Sequence, residues 1–190
     1  KPMPAHILLL DGQWELAGHD PADPKQSYAL PGKVPGHVHL DLWREGIIPD
    51  PFWRNQAEQC QWIEHWEWRY RRVFHLPAGF PLNWTILEFD GLDTFAQVRL
   101  NGHLLGETAN MFISHWFEVG KFLRPGANEL EVVLTPPSQA LADKPKDGFF
   151  SCCVNSHRRK QWFVPQCDLR LHWLKRRPIL LFVQEGRLGS

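Results

Sequence analysis

The feature that most constrains this fold is a two-residue alternation of side chains in several short segments. In residues 68–76, Trp68, Tyr70 and Phe74 lie on one face of an extended chain, and Arg69 lies on the other. A period of two predicts a β-strand, because successive side chains of an extended chain point to opposite faces. The same reasoning predicts strands over residues 84–89, 96–100, 103–106, 112–119 and 130–134.

Turn sequences separate these segments. Asn101-Gly102 is a strong hairpin signal, because both residue types accept the positive φ angles of a tight two-residue turn. Residues 125–128 (Pro-Gly-Ala-Asn) predict another turn. Strands at this spacing predict an all-β protein, an antiparallel β-sandwich or jelly roll.

One or two short helices interrupt the strand pattern. Residues 38–45 are compatible with a helix that Gly46 terminates in the left-handed conformation. Residues 55–66 are compatible with a second. The prolines at 49 and 51 make the segment between them irregular, because proline disfavours helical backbone in the preceding residue.

Size and charge exclude several classes of protein. A length of 190 residues suits one domain, and a net charge of zero argues against nucleic-acid binding. No apolar run reaches the roughly 20 residues of a transmembrane helix, so we expect no membrane partner. Charge is uneven, since residues 158–190 carry a net +6 and the preceding residues −6. We interpret the basic end as a solvated segment.

Ten tryptophans invite two interpretations. Indole rings fill β-sandwich cores, and they also stack on the C–H faces of sugars. The strand pattern predicts a core position for Trp14, Trp68 and Trp84. For the tryptophans in loops or near strand ends both interpretations stay open; these are Trp53, Trp62, Trp66 and Trp116.

Two further residue pairs resemble chemical sites. His37 and His39 have the spacing of metal ligands in an extended segment, but we expect a turn-and-surface pair. Asn128-Glu129 resembles a catalytic pair, but it opens a strand, so we interpret it as structural. The four cysteines lack metal-site spacing, and we therefore expect no metal and no cofactor.

Several motifs occur in a fixed order along this chain, among them Val34-Pro35-Gly36 and the run from Phe89 to Asn101-Gly102, which reads FDGLDTFAQVRLNG. This ordered set resembles the N-terminal sugar-binding domain of β-mannosidases in glycoside hydrolase family 2. The resemblance covers approximately residues 12–138 and rests on residues 30–42, 46–52, 61–64, 68–71, 89–102, 106–112 and 123–130.

The resemblance implies a galactose-binding-like jelly roll over residues 1–150. In the family this domain accompanies a catalytic (β/α)₈ barrel, which carries both catalytic glutamates and needs roughly 250 further residues. The parent activity it implies is hydrolysis of terminal β-D-mannose residues, with β-galactosides, β-glucuronides and β-glucosaminides as alternatives. We therefore expect no catalytic residue in this chain, inactivity of the chain alone, and a β-mannoside and the catalytic barrel as partners. Lysosomal and bacterial cytoplasmic or periplasmic locations are both compatible.

The expected sugar contacts follow from the same resemblance. The segment from Asp50 through Asn55 to Trp62, together with Asn110, is expected to form a pocket edge. The family's Trp-Asp-Trp-Gly-Pro motif is missing, and Asp168 falls near the position of its aspartate.

Residues 151–190 form a divergent basic segment that we interpret as departing from family sequence. Because the sheet is then incomplete, we expect an open edge beside residues 179–183. Two alternatives to the enzyme-domain interpretation stay open: an independent carbohydrate-binding module, and a structural or interaction domain.

Overall fold

The computed structural model describes residues 6–54, 56–140 and 180–183. These residues form two antiparallel sheets. The strands are β1 (Ile7–Leu9), β2 (Gly12–His19), β3 (Ser27–Val34), β4 (Glu67–His75), β5 (Thr85–Phe89), β6 (Ala96–Leu100), β7 (His103–Thr108), β8 (His115–Glu118), β9 (Ala127–Leu134) and β10 (Leu180–Val183). The helices are α1 (Val38–Arg44), α2 (Gln56–Gln59), a 3-10 helix (Gln61–His65) and α3 (Pro137–Ala140). The predicted all-β class is confirmed.

The strands divide into a six-stranded sheet with the order β3-β2-β4-β9-β6-β7 and a four-stranded sheet with the order β1-β10-β5-β8. Side chains from both sheets meet in one hydrophobic core, where Tyr70 and Val98 of the larger sheet join Leu87 and Phe89 of the smaller one. Two sheets that share a core in this way form a β-sandwich.

Strand β4 shows the predicted alternation directly. Trp68, Tyr70 and Phe74 are buried, whereas Arg69 and Val73 on the other face are exposed. The strand pairs with β2 on one side and with β9 on the other, so it lies inside the larger sheet. Its apolar face therefore anchors the core.

The hairpin between β6 and β7 forms at the predicted position. Asn101 and Gly102 adopt φ angles of 52° and 83°. The Asn101 side chain also donates to the Asn128 side chain at 2.8 Å and accepts from the Glu129 backbone N–H at 2.9 Å. Glu129 in turn accepts hydrogen bonds from Arg71. The structural interpretation of Asn128-Glu129 is thus confirmed.

The helix predicted before Gly46 is confirmed as α1, but its two histidines are not at the surface. His37 caps the helix by accepting from the Leu40 backbone N–H at 3.3 Å, and His39 is buried beside it. Burial lowers the pKa of His39 to about 4, because the charged imidazolium loses its hydration. The expectation of a surface pair was therefore wrong.

Strand β10 lies between β1 and β5. Leu181 pairs with Leu8 on one side and with Leu87 on the other. Residues 180–183 thus fill the sheet where an open edge was expected, and that expectation was wrong. No helix in the described ranges is long and apolar enough to cross a membrane.

The tryptophans separate by environment. Trp14 and Trp68 are buried as predicted, but Trp84 is 74% exposed. Trp84 directly precedes β5 and has a φ of 61°, so it is not part of the extended strand whose side chains alternate. The core position predicted for Trp84 was therefore wrong.

Candidate functional site

A pocket of about 220 Å³ opens where the 3-10 helix, the start of β4 and the end of β9 meet. The rest of its wall comes from the segment that precedes β6, from Val38 of α1 and from the prolines at positions 136 and 137. The lining combines two carboxyl side chains with aromatic, hydroxyl and aliphatic groups, which include Glu64, Asp93, Thr94, Thr135, Trp66 and Trp68.

Glu64 reaches the pocket from the 3-10 helix. The helix is held against β4 because the Trp68 indole N–H donates to the Ile63 carbonyl at 2.9 Å. One Glu64 oxygen lies 3.2 Å from the Nε2 atom of His65. The other is buried and has no hydrogen-bond partner among the described residues. Burial raises the pKa of Glu64, and the charge of His65 opposes this shift.

Asp93 enters from the segment before β6 and is buried. The Thr94 hydroxyl donates to its carboxylate, and the Thr94 carbonyl accepts from the Thr108 hydroxyl at 3.1 Å. This chain of hydrogen bonds ties Asp93 to β7. The position of the carboxylate is thus fixed by the sheet rather than by a free loop.

Stacked aromatic rings form the apolar wall. Trp66 and Trp68 are stacked with ring centroids 5.7 Å apart, and Tyr28 stacks on Trp66 at 5.4 Å. Trp62, a predicted sugar contact, packs edge-on against Trp66 at 4.7 Å and is half-buried. Trp62 thus packs against the two rings that line the pocket, Trp66 and Trp68, but does not line it itself.

Asp50 and Asn110 perform the same local task in two different loops. The Asp50 carboxylate accepts from the Phe52 backbone N–H at 2.9 Å. The Asn110 side-chain carbonyl accepts from the Phe112 backbone N–H, also at 2.9 Å. Each contact is an Asx turn that presents an exposed aromatic residue to solvent. Within the described ranges, no hydrogen bond or ring contact joins Asp50, Trp62 and Asn110.

The other two predicted contacts, Asn55 and Asp168, lie outside the described residues. Sequence reasoning missed Glu64 and Asp93 as pocket residues. The available signal for Glu64 is a carboxyl group inside an aromatic and apolar run (WIEHW) directly before a buried strand. For Asp93 it is a carboxyl group between two predicted strands.

The pocket is chemically suited to a polyhydroxylated ligand. Carboxylates accept hydrogen bonds from hydroxyl groups, and indole faces contact C–H groups. Among the described residues, no group of three His, Cys, Asp or Glu side chains is arranged to hold a metal ion.

The two antiparallel sheets and this pocket define a β-sandwich domain with one small, partly acidic cavity. The sequence model of the family described as "Glycosyl hydrolase 2 galactose-binding domain-like" matches residues 14–178. The chain belongs to this family.

The proteins to which this chain is similar include β-mannosidases. Beta-mannosidase B of Thermothelomyces thermophilus is 40% identical over 129 residues, which are 68% of this chain and 15% of that protein. Beta-mannosidase of Mus musculus is 33% identical over 112 residues, or 58% of this chain and 12% of the relative. The crystal structure of β-D-mannosidase from Dictyoglomus thermophilum is 44% identical with a TM-score of 0.66, covering 75% of this chain and 17% of that one.

The chain thus corresponds to the galactose-binding-like N-terminal domain of glycoside hydrolase family 2 β-mannosidases and spans less than a fifth of their length.

Proposed function

We propose that this domain is non-catalytic and helps to position a terminal β-D-mannose residue for hydrolysis by a catalytic barrel. The observation that carries the proposal is the pocket in which Glu64 and Asp93 lie beside the stacked Trp66 and Trp68. The 44% identity to a solved β-D-mannosidase supports the choice of sugar.

The expected division of labour follows from the pocket's chemistry. In retaining glycosidases two catalytic carboxyl groups lie about 5 Å apart on either side of the scissile bond. In this proposal the catalytic barrel supplies both of them, and the domain only orients the sugar. Here Asp93 is tied into β7 by hydrogen bonds, and Glu64 is held by a helix that packs on β4. Such fixed groups orient a ligand, and orientation alone lowers a barrier by several kcal/mol when it yields a reactive geometry.

Five residues remain the proposed sugar contacts: Asp50, Asn55, Trp62, Asn110 and Asp168. For Asp50 and Asn110 the proposed role is indirect, since their turns set the positions of the exposed Phe52 and Phe112. The division at residue 150, with a divergent basic segment after it, likewise remains a prediction. The proposed partners are a β-mannoside and the catalytic region of a longer polypeptide.

A turnover assay and a chimera test the proposal. The 190-residue chain is expected to leave p-nitrophenyl β-D-mannopyranoside intact, and measurable hydrolysis would refute the non-catalytic role. Replacing the matching region of the Dictyoglomus thermophilum enzyme with this chain is expected to retain β-mannosidase activity. In that chimera, Asp93→Asn is expected to lower kcat/KM at least tenfold, about 1.4 kcal/mol.

The matched control in the chimera is Asp90→Asn, which changes a nearby carboxyl group that does not line the pocket. Equal losses in the two variants, with unchanged thermal stability, would overturn the assignment of the pocket.

A further inference from the structure

A second concave surface is formed by residues other than those of the acidic pocket. It is a groove of about 790 Å³ between β7, one edge strand of the larger sheet, and β8, one edge strand of the smaller sheet. Its lining includes Asn83, Trp84, Leu104, Trp116, Glu118 and Lys121. None of these residues belongs to the pocket described above.

The two indoles of this groove are strongly exposed. Trp84 is 74% exposed and Trp116 is 64% exposed. Exposed apolar side chains are common singly, but two indoles on the wall of one groove are a typical feature of a ligand surface. Neither ring contributes to the core, so folding alone does not account for them.

The backbone around Trp84 is firmly held. Trp84 has a φ of 61°, an uncommon conformation for a bulky residue. The Thr85 hydroxyl donates to the Pro81 carbonyl at 2.8 Å, and the Val119 backbone N–H donates to the Thr85 carbonyl at 2.9 Å. Gly120 packs so closely that an added Cβ atom would lie 2.3 Å from the Leu82 carbonyl oxygen. The turn that carries the indole is therefore preorganised, which lowers the entropy cost of binding.

The strand register separates the two tryptophans along the groove. Trp116 pairs with Glu88, three positions beyond Thr85, which is the first residue of β5 and directly follows Trp84. At about 3.3 Å per residue the backbone of Trp116 lies about 10 Å from that of Thr85 along the strand. This backbone separation exceeds one pyranose ring and suits a ligand of more than one ring.

The charges of the groove select among ligand classes. Glu118 and Lys121 contribute one charge of each sign, and Asn83 is neutral. A groove without net charge has no electrostatic attraction for nucleic acids or polyanions. The combination of flat apolar rings with mixed hydrogen-bonding groups matches a neutral carbohydrate.

The structure also disfavours a peptide strand in this position. The Phe117 ring of β8 lies over Gly106 of β7, where an added Cβ atom would be 2.9 Å from it. The two edge strands thus already contact each other, through the Phe117 ring and the Gly106 backbone. A strand inserted between them would have to displace this contact.

We propose that the groove between β7 and β8 binds a neutral oligosaccharide, with Trp84 and Trp116 each stacked on a different sugar ring. This site is separate from the acidic pocket and needs no catalytic region. It goes beyond the proposed function, since it holds a carbohydrate chain rather than the residue to be cleaved.

Isothermal titration of the 190-residue chain with mannohexaose, cellohexaose and the monosaccharide mannose tests the site. At least one neutral hexasaccharide is expected to bind with a Kd of about 1 mM or tighter. Mannose is expected to bind at least tenfold more weakly, because it reaches only one indole. Hexagalacturonate, a charged chain of the same length, is expected not to bind.

Trp84→Ala and Trp116→Ala are each expected to weaken hexasaccharide binding at least tenfold. Trp84 precedes β5 and Trp116 lies in β8. A folding defect in one variant would therefore not explain a loss of binding in the other. The matched control is Trp43→Ala, which removes a 43% exposed indole from α1, outside the groove. This control variant is expected to bind the hexasaccharide normally.

Three results would overturn the proposal. The first is the absence of binding by both neutral hexasaccharides. The second is an equal loss of affinity in Trp43→Ala. The third is a self-association of the chain, measured by sedimentation, that Trp84→Ala abolishes, because the groove would then be occupied by a second copy. None of these results bears on the chimera assay, so the two proposals fail separately.

Discussion

Two pairs of tryptophans have opposite environments in this molecule. Trp66 and Trp68 are buried and stacked at the end of the sandwich, where they form the wall of a small acidic pocket. Trp84 and Trp116 are exposed along an open groove between the edge strands. The pairs share a residue type and differ in burial, since Trp66 and Trp68 pack in the core and Trp84 and Trp116 line an open groove. Environment, rather than composition, therefore determines which indoles stabilise the fold and which are available to a ligand.

The largest loss of stability is expected when the buried Trp68 is replaced. Trp68→Ala removes a ring that is 4% exposed and an indole hydrogen bond to Ile63, so the free energy of unfolding is expected to fall by about 3–5 kcal/mol. Trp84→Ala is expected to change it by less than about 0.5 kcal/mol. Urea denaturation measures both, and similar losses would show that the two environments do not differ energetically.

The buried His39 makes the stability of the fold depend on pH. The pKa of His39 is lowered to about 4, so the unfolded chain binds more protons than the folded chain between pH 6.5 and 4. The free energy of unfolding is therefore expected to fall as the pH drops through this range, by about 3 kcal/mol. His39→Gln is expected to remove this fall in urea titrations at pH 7 and pH 4. An unchanged pH profile in the variant would contradict the assignment.

Two asparagines show the same contrast between a buried and an exposed side chain, with smaller expected effects on stability. Asn128 is buried and makes four hydrogen bonds, to Asn101, Gly126 and, twice, the Arg124 backbone. Asn128→Ala is expected to cost about 2 kcal/mol, because buried backbone groups lose their partners. Asn110→Ala, in an exposed turn, is expected to cost about 0.5 kcal/mol or less. Thermal denaturation monitored by circular dichroism distinguishes these outcomes, and the reverse order would refute the roles given to the two side chains.

The smallest expected effect concerns Glu64. Its pKa is raised by burial, so the folded chain binds more protons than the unfolded chain above the ordinary value of 4.5. Stability is therefore expected to fall as the pH rises through this region, opposite in sign to the effect of His39. The stability of Glu64→Gln relative to the unmodified chain should increase as the pH rises from 4 to 7. If this difference were independent of pH, the burial of Glu64 would not influence its ionisation.

Local patterns allowed much of the fold to be predicted. The alternation in β4, the Asn101-Gly102 hairpin and the Gly46 stop after α1 are set by neighbouring residues, and the structure confirms each. The pairing of β2 with β3 was not predicted, because Pro31 and Gly32 interrupt the strand pattern. Proline fits there because β3 is the outermost strand and Pro31 needs no ladder partner on its open side.

The candidate site was less predictable, because it depends on contacts between distant segments. Glu64 and Asp93 come together only when the 3-10 helix packs beside the loop before β6. The predicted residue Trp62 lies in the aromatic cluster beside the pocket, whereas Asp50 and Asn110 form turns. The strand predicted for residues 112–119 is limited to His115–Glu118, since the Asn110 turn occupies the preceding residues. The prediction for Trp84 was wrong because this residue lies in the turn before β5, outside the alternating strand.

The position of β10 has a consequence for the order in which the protein is made and folded. The strands of the larger sheet all lie before residue 135, so they are available for pairing early in synthesis. The smaller sheet must wait, because Ile7 pairs with Phe182 from near the opposite end of the chain. Contacts of such long sequence separation form slowly. During that delay β1 and β5 each present an unpaired edge, so a nascent chain is most vulnerable to aggregation at its smaller sheet.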